Sequence, residues 1–410
     1  VGESSGLPQI SSGKITTNKN NNIFVENGVY CFHIDTSKTS FVTWNIDSPK
    51  YYPNAQNVGI FLNFDDSSKI EQVIIEIYSS QTNKWVRSTK SFNMNTSLQN
   101  EWQLFRWRVK DSNTKDFGIH TTKIRLIFKS NAPTKLKIGY IFAETPAKSK
   151  LLFIQDGGYS KGWISENLAE GQNQSGIDDC KQHNLPITWA LTPDRVINNN
   201  SNNVISLEKL KKMQKDSINF WSFHGYDAQI LASKTTNEIK NNIRKTLSWL
   251  TKNNFGEVHF RAAHMQNNAP AARNTKNYLG LKALATYSQK TGGFETFPFT
   301  NRWDINRCAI HNLSKKDIDK KFNILKERRC LIVTYTHKIV SDNSASIVDI
   351  KVSLWQYFLS KINTAVSEGW LELVSYDELE NELRQYNIDD NDISISKALL
   401  KELQFISKNN

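Results

Sequence analysis

Five side chains able to do acid–base or metal chemistry recur at one kind of place in this sequence. LFIQDGGY sets Asp156 directly after an apolar run and before two glycines. FWSFHGYDAQ sets His224 after another run, VHFRAAHMQNN does the same for Arg261 and His264, and VTYTHKI for His337. The paired glycines let the backbone turn sharply and come close to a ligand. A carboxylate and several imidazoles converging on one point can bind a divalent ion. They can equally supply a general acid or base for hydrolysis. Each residue also has a plainer reading. A strand-terminal Asp is often a helix N-cap, a lone His is commonly packed and hydrogen-bonded, and Arg261 could be an ion-pair partner. Their shared position at the ends of apolar runs is what points to a site.

Those runs imply the elements that must hold them. LLFIQD, LPITWAL, SINFWSFH, EVHFRAAH, LIVTYTH and WLELVSYDEL read as strands, and SLEKLKKMQKD and TNEIKNNIRKTLSWLTKNN as helices between them. Continuous apolar runs suit parallel strands covered on both faces. Strand and helix alternating over this length predict an α/β barrel or doubly wound sheet. In a parallel barrel, functional residues gather where strands end. Upstream the period changes. VGIFLNF, QVIIEIYSS, WQLFRWRV, KIRLIFKS and KLKIGYIFAE alternate in the period-2 manner of short antiparallel strands. Roughly eight such strands predict a β-sandwich or jelly roll over 23–147. Residues 1–22 are polar and read as a flexible arm, TPAKSK (145–150) as a linker, 148–385 as the barrel and 386–410 as a helical tail.

Composition narrows the classes further. The chain has 410 residues, 38% of them hydrophobic and 22% charged, with eleven Trp and twenty-one Phe. That is a globular composition with material for more than one core. No run approaches the ~18 apolar residues of a membrane helix, so no membrane insertion is expected. The first residue is Val1 and no basic-then-apolar leader follows, which reads as a trimmed or mature product. The four cysteines (Cys31, Cys180, Cys308, Cys330) are too scattered for a disulfide framework and form no C-x-x-C. The net charge of +12 favours anionic partners, but its lysines rarely form runs. No helix-turn-helix, zinc-finger or RNP-type pattern accompanies it, so nucleic acid is not the expected partner.

Residues 148–385 resemble the polysaccharide deacetylase (NodB-homology) family of carbohydrate esterases. LFIQDGG is similar to the family's T-F-D-D-G motif, FHGYDA to H-[ST]-x-x-H, FRAAH to R-P-P-Y, and VTYTH to the late L-H motif, followed by SYDELENEL. The resemblance implies a distorted (β/α) barrel with one divalent ion, usually Zn. It implies Asp156 and His224 as metal ligands, Arg261 as the residue orienting the base, and His337 as general acid. It also implies losses. Ala228 stands where the second metal His is expected, and Gln155 where the general base is expected. Asp227, His264 or His337 would then have to serve as base, and Asp227 or His264 as a further ligand. The upstream domain resembles carbohydrate-binding sandwich modules of secreted and phage-tail proteins.

The expectation is a hydrolase acting on a bacterial surface or capsular polysaccharide, acidic or acetylated, most simply a divergent deacetylase with an altered metal site. Asp156, His337, Arg261 and Asp227 are its candidate catalytic residues. Gln155, Tyr226, His264, Glu295 and Trp303 are candidates for substrate contact, the last two in the aromatic stretch TGGFETFPFTNRWDINR. One alternative is a glycosidase, which needs two carboxylates ~5–9.5 Å apart; Asp156 would pair with Asp227, Glu295 or Asp304. Another is a glycan-binding receptor or adhesin without catalysis, using Trp44, Tyr51, Tyr52, Trp85, Trp102 or Trp107 as sugar platforms. The expected location is extracellular, on a cell surface or on a virion; the sequence leaves the oligomeric state open, a trimer being an option only for a virion-associated protein.

Overall fold

The computed structural model describes residues 15–17, 21–26, 29–34, 39–50, 57–80, 82–87, 102–108, 121–144, 148–198, 203–227, 234–256, 258, 260–262, 283–287, 293–295 and 305–385. The chain divides into two compact units, the first holding Val1–Pro146 with Pro298–Asn301 and Leu383–Asn410, the second Ala147–Phe297 with Arg302–Glu382.

The first unit holds two antiparallel five-stranded sheets. One has the order β1 (Ile15–Thr17), β4 (Thr39–Lys50), β9 (Thr121–Ser130), β6 (Ile70–Ser79), β7 (Lys84–Arg87). The other runs β2 (Asn21–Glu26), β3 (Val29–Ile34), β10 (Thr134–Glu144), β5 (Asn57–Phe64), β8 (Trp102–Arg108). Alternation decides which face is apolar. In β9, Ile124, Leu126 and Phe128 are buried while Lys123, Arg125 and Ile127 are not; in β10, Leu136 and Ile138 alternate with Lys135 and Lys137. Phe64 and Phe105 meet edge to face within the core. Among the described residues ten strands form, from Ile15 to Glu144, where about eight were expected over 23–147. Ile15–Thr17 pairs with β4, and Asn21 and Asn22 pair with β3, so part of the stretch read as a flexible arm is strand.

The second unit carries a nine-stranded sheet with β11 (Ser149–Asp156), β12 (Ile187–Leu191), β13 (Asn219–Phe223), β14 (Phe260–Ala262), β15 (Ala283–Tyr287), β16 (Phe294–Glu295), β17 (Ile305–Ala309), β18 (Leu331–Thr336) and β21 (Leu371–Val374). A two-stranded ladder, β19 (Ile339–Val340) with β20 (Ile350–Lys351), lies beside it in sequence. The sheet is mixed, because β16 runs antiparallel to β18. Its other pairings are parallel, and β18 also pairs with β11, from Lys150 opposite Leu331 to Gln155 opposite Thr336. The parallel pairings that lead from β11 through β12, β13, β14, β15, β17 and β18 therefore return to β11. The sequence predicts a distorted (β/α) barrel; the described residues show the coarser architecture of a mixed sheet with helices. β15, β16 and β17 were not anticipated; the last two lie in the stretch read as a sugar-binding loop.

Among the described residues the helices of this unit are α1 (Gly176–Gln182), α2 (Pro193–Ile197), α3 (Leu207–Met213), α4 (Thr236–Lys252), α5 (Lys315–Arg328), α6 (Val352–Ser367) and α7 (Tyr376–Gln385). Side-chain caps start most of them. Ser175 and Ser206 cap α1 and α3, while Thr235 with Glu238 and Ser314 with Asp317 form capping boxes on α4 and α5. An aromatic core of Phe153, Trp163, Trp189 and Trp355 packs with centroids 5.4–5.9 Å apart. Among the described residues no helix is long and apolar enough to cross a membrane, and Cys180, Cys308 and Cys330 are free thiols. The tail 386–410 lies outside the described residues.

Candidate functional site

β11 is buried along nearly its whole length and ends at Asp156, which is 1% exposed. The chain turns at once through Gly157 and Gly158, at φ +86° and +65°. A Cβ on Gly157 would lie 2.8 Å from the Tyr159 ring, so both the backbone angle and the space require glycine. Adjacent strand residues point to opposite faces, and this separates Asp156 from Gln155. Gln155 is fully buried; it donates to the His337 carbonyl (2.9 Å) and accepts from the Gly158 N–H (2.9 Å). It braces the turn and the His337 backbone, which corrects its assignment as a ligand contact.

Arg307, on β17, was not among the residues singled out from sequence, and it decides the chemistry of Asp156. Its Nη1 donates to both carboxylate oxygens at 2.7 Å, and both residues are buried. The guanidinium carbon lies 4.3 Å from the centre of the Tyr335 ring, on the neighbouring strand β18. His224, at the end of β13 and 2% exposed, brings Nε2 to 3.8 Å from Asp156 Oδ2. Burial pushes the Asp156 carboxyl up, but Arg307, His224 and His337 outweigh it and hold it below the usual carboxylate range.

These groups open onto a cleft of about 340 Å³ lined by Asp156, Tyr159, His224, Arg307, His311, Tyr335, His337 and Asp349, among others. His337 Nδ1 lies 2.7 Å from the Val348 carbonyl. A carbonyl only accepts, so Nδ1 carries the proton of the neutral ring and Nε2 keeps its lone pair. His311 follows β17 in a 3₁₀ turn, with its ring 5.3 Å from that of His337. Burial, together with positive charge at His337, depresses its pKa to about 4, against the pull of Asp156 and Asp349. His311 is therefore a neutral imidazole at neutral pH. His311 and Arg307 were legible only as polar residues bracketing the short apolar run in INRCAIHN.

The structure thus brings Asp156, His224 and His337 together. Arg261 is placed in β14 opposite Phe223, but its side chain lies outside the described residues. Ala228, His264, Trp303 and Asp304 lie outside them entirely. Tyr226 and Asp227 are not among the residues lining the cleft. Both are held by Asn242, whose Oδ1 accepts from the Tyr226 N–H and whose Nδ2 donates to Asp227. Glu295 sits on β16 and accepts from the backbone and side chain of Asn306. Neither Asp227 nor Glu295 joins Asp156 in lining the cleft as a glycosidase pair would.

Among the described residues a divalent ion finds no full donor set. Catalytic zinc sites generally use three protein ligands. Here Asp156 and His224 are the two near one another, and both Asp156 oxygens already accept from a buried guanidinium. Among the described residues no group of three or more His, Cys, Asp or Glu could hold a metal.

No protein-family model and no curated protein matches the chain. Similar solved structures include the Xyl-CE4 domain of a multidomain xylanase from the hindgut metagenome of Trinervitermes trinervoides. It is 13% identical, with a TM-score of 0.37, covering 58% of this chain and 92% of that one. A CE4 family pseudoenzyme from Bacillus anthracis is 13% identical at a TM-score of 0.35, over 60% of this chain and 67% of its own. A family 29 carbohydrate-binding module is 11% identical at 0.25, over 33% and 82%. At these scores they describe a likeness and assign no activity.

Proposed function

We propose that this protein recognises a polysaccharide, and that the Asp156–His337 cleft receives a sugar residue without metal-assisted deacetylation. One observation carries this reading: Arg307 donates to both oxygens of Asp156, so the carboxylate a metal would need is already neutralised. What remains open to a ligand is a cleft with Tyr159 and Tyr335 rings, imidazoles and the Lys338–Asp349 rim. Apolar rings beside a few convergent polar groups suit a pyranose, which has both apolar and hydroxyl faces. A cell-surface or virion-borne setting is what such a role implies.

A metal-independent hydrolase is the second reading, and the His337 tautomer favours it. With Nδ1 tied to the Val348 carbonyl, Nε2 is free to take a proton from an attacking water. Purified full-length protein separates the two. It is titrated with bacterial capsular polysaccharides while acetate and reducing ends are measured. The binding reading expects saturable binding that weakens in His337→Ala and Tyr159→Ala, with neither product released. Release of acetate or reducing ends that persists in EDTA and disappears in His337→Ala would overturn it in favour of the hydrolase.

A further inference from the structure

One sheet of the first unit displays an ordered set of charges and rings. In β4, β6, β7 and β9 the buried residues include Val42, Val73, Ile75, Ile77, Val86, Ile124, Leu126 and Phe128. The alternate residues point away from that core. Strand register arranges them in rows across the sheet. Phe41, Ile127 and Ile74 form one row, Thr43, Arg125, Glu76 and Arg87 the next, and Lys123, Tyr78 and Trp85 the third.

The middle row is built rather than incidental. The Glu76 side chain is 4% exposed and accepts from Arg87 Nε at 2.7 Å and Arg125 Nη1 at 3.4 Å. Arg125 also donates to Thr43 Oγ1 at 3.2 Å, and its guanidinium lies 4.0 Å from the centre of the Trp85 ring. Lys123 Nζ lies 5.2 Å from the centre of the Tyr78 ring, and the Tyr78 and Trp85 rings are 5.2 Å apart. One carboxylate thus fixes two guanidinium groups, and two aromatic rings border them. The patch holds three cations against one anion.

We propose that this face binds a carboxylate-bearing polysaccharide. Fixed guanidinium groups match carboxylates in geometry as well as charge. Tyr78 and Trp85 offer apolar surface for sugar C–H faces. The two arginines rise from strands two spacings apart, about 10 Å at the backbone, and their guanidinium groups converge on the Glu76 carboxylate. The inference rests on the polysaccharide reading above and names the ligand class and the face.

The test uses the full-length protein at low salt with three probes: polygalacturonate, the same polymer fully methyl-esterified, and polyphosphate. Wild type is expected to bind polygalacturonate at least about tenfold more tightly than the ester or polyphosphate. Arg87→Ala/Lys123→Ala is expected to weaken polygalacturonate binding about tenfold or more with an unchanged circular dichroism spectrum. Lys209→Ala/Lys212→Ala removes equal charge from helix α3 and is expected to leave binding within about twofold. Equal affinity for the ester or polyphosphate, or equal loss in the α3 variant, overturns the inference, because charge or bulk alone would then suffice. Full binding in Arg87→Ala/Lys123→Ala together with loss in His337→Ala overturns it while the cleft reading stands. The reverse pattern upholds this face and removes the cleft.

Discussion

Among the described residues two carboxylates are clamped by arginine, and the two clamps behave differently. Asp156 and Arg307 are both almost fully removed from water. Glu76 is equally buried, but its partner Arg87 is 59% exposed. In the second unit the ion pair closes the end of a buried parallel strand and occupies both oxygens of the carboxylate. In the first unit the carboxylate sits beneath a solvent-facing sheet surface and aims its cations outward. Burial of the arginine, more than the pairing itself, decides whether such a clamp is a lock or a presented surface. The energetics follow: stranding one buried charge is costly, whereas an exposed pair is worth little.

The sharpest way to break that comparison is Arg307→Met. It leaves Asp156 buried without its cation, and urea unfolding is expected to show a loss of about 3–5 kcal/mol. The double change Asp156→Leu/Arg307→Met is expected to cost clearly less than the two single changes added together. A loss under about 1 kcal/mol in Arg307→Met would mean the pair is no lock.

The next effect is set by pH. His311 titrates near 4 in the fold, against an ordinary value of 6.5. The unfolded chain therefore takes up this proton first, and stability falls as pH drops through the window from 6.5 to 4. The loss attributable to this group is up to about 3 kcal/mol. The depressed Asp156 carboxyl acts below that window: its contribution is present above the ordinary carboxylate range and is lost as pH falls through its lowered value. Unfolding curves for wild type and His311→Gln at several pH values check this, and the variant should show a flatter profile between the two limits.

Glu76→Gln should cost less, about 1 kcal/mol, because Arg87 regains water where Arg307 could not. A cost matching that of Arg307→Met would erase the distinction between the two clamps. The smallest expected effect is that of metal. Adding Zn²⁺ or EDTA should move the wild-type Tm by less than about 1 °C, since a tightly bound ligand would raise it in proportion to its binding free energy. A clear zinc-dependent rise would show that Arg307 yields to the ion.

The strands that carry Asp156, His224 and His337 were legible because each is an apolar run broken by a polar residue. The antiparallel sheets were legible for the parallel reason, a period of two in KIRLIFKS and QVIIEIYSS. INRCA was not read as a strand, since its five residues include an Asn and an Arg and show neither a continuous run nor clean alternation. Arg307 went unread with it. Gln155 was misread because its place beside Asp156 in sequence suggests a shared site, while the strand's pleat turns the two side chains apart.

Composition and periodicity alone therefore determined a two-part chain, one part of alternating strands and one of buried strands tipped with polar groups. Local pattern records what each segment must bury, so this much is written into neighbouring residues. That Asp156 meets Arg307, 151 positions away, was decided only when β18 paired with both β11 and β17. Opposite charges attract wherever the fold brings them together, and no local spacing encodes which partner a carboxylate will find.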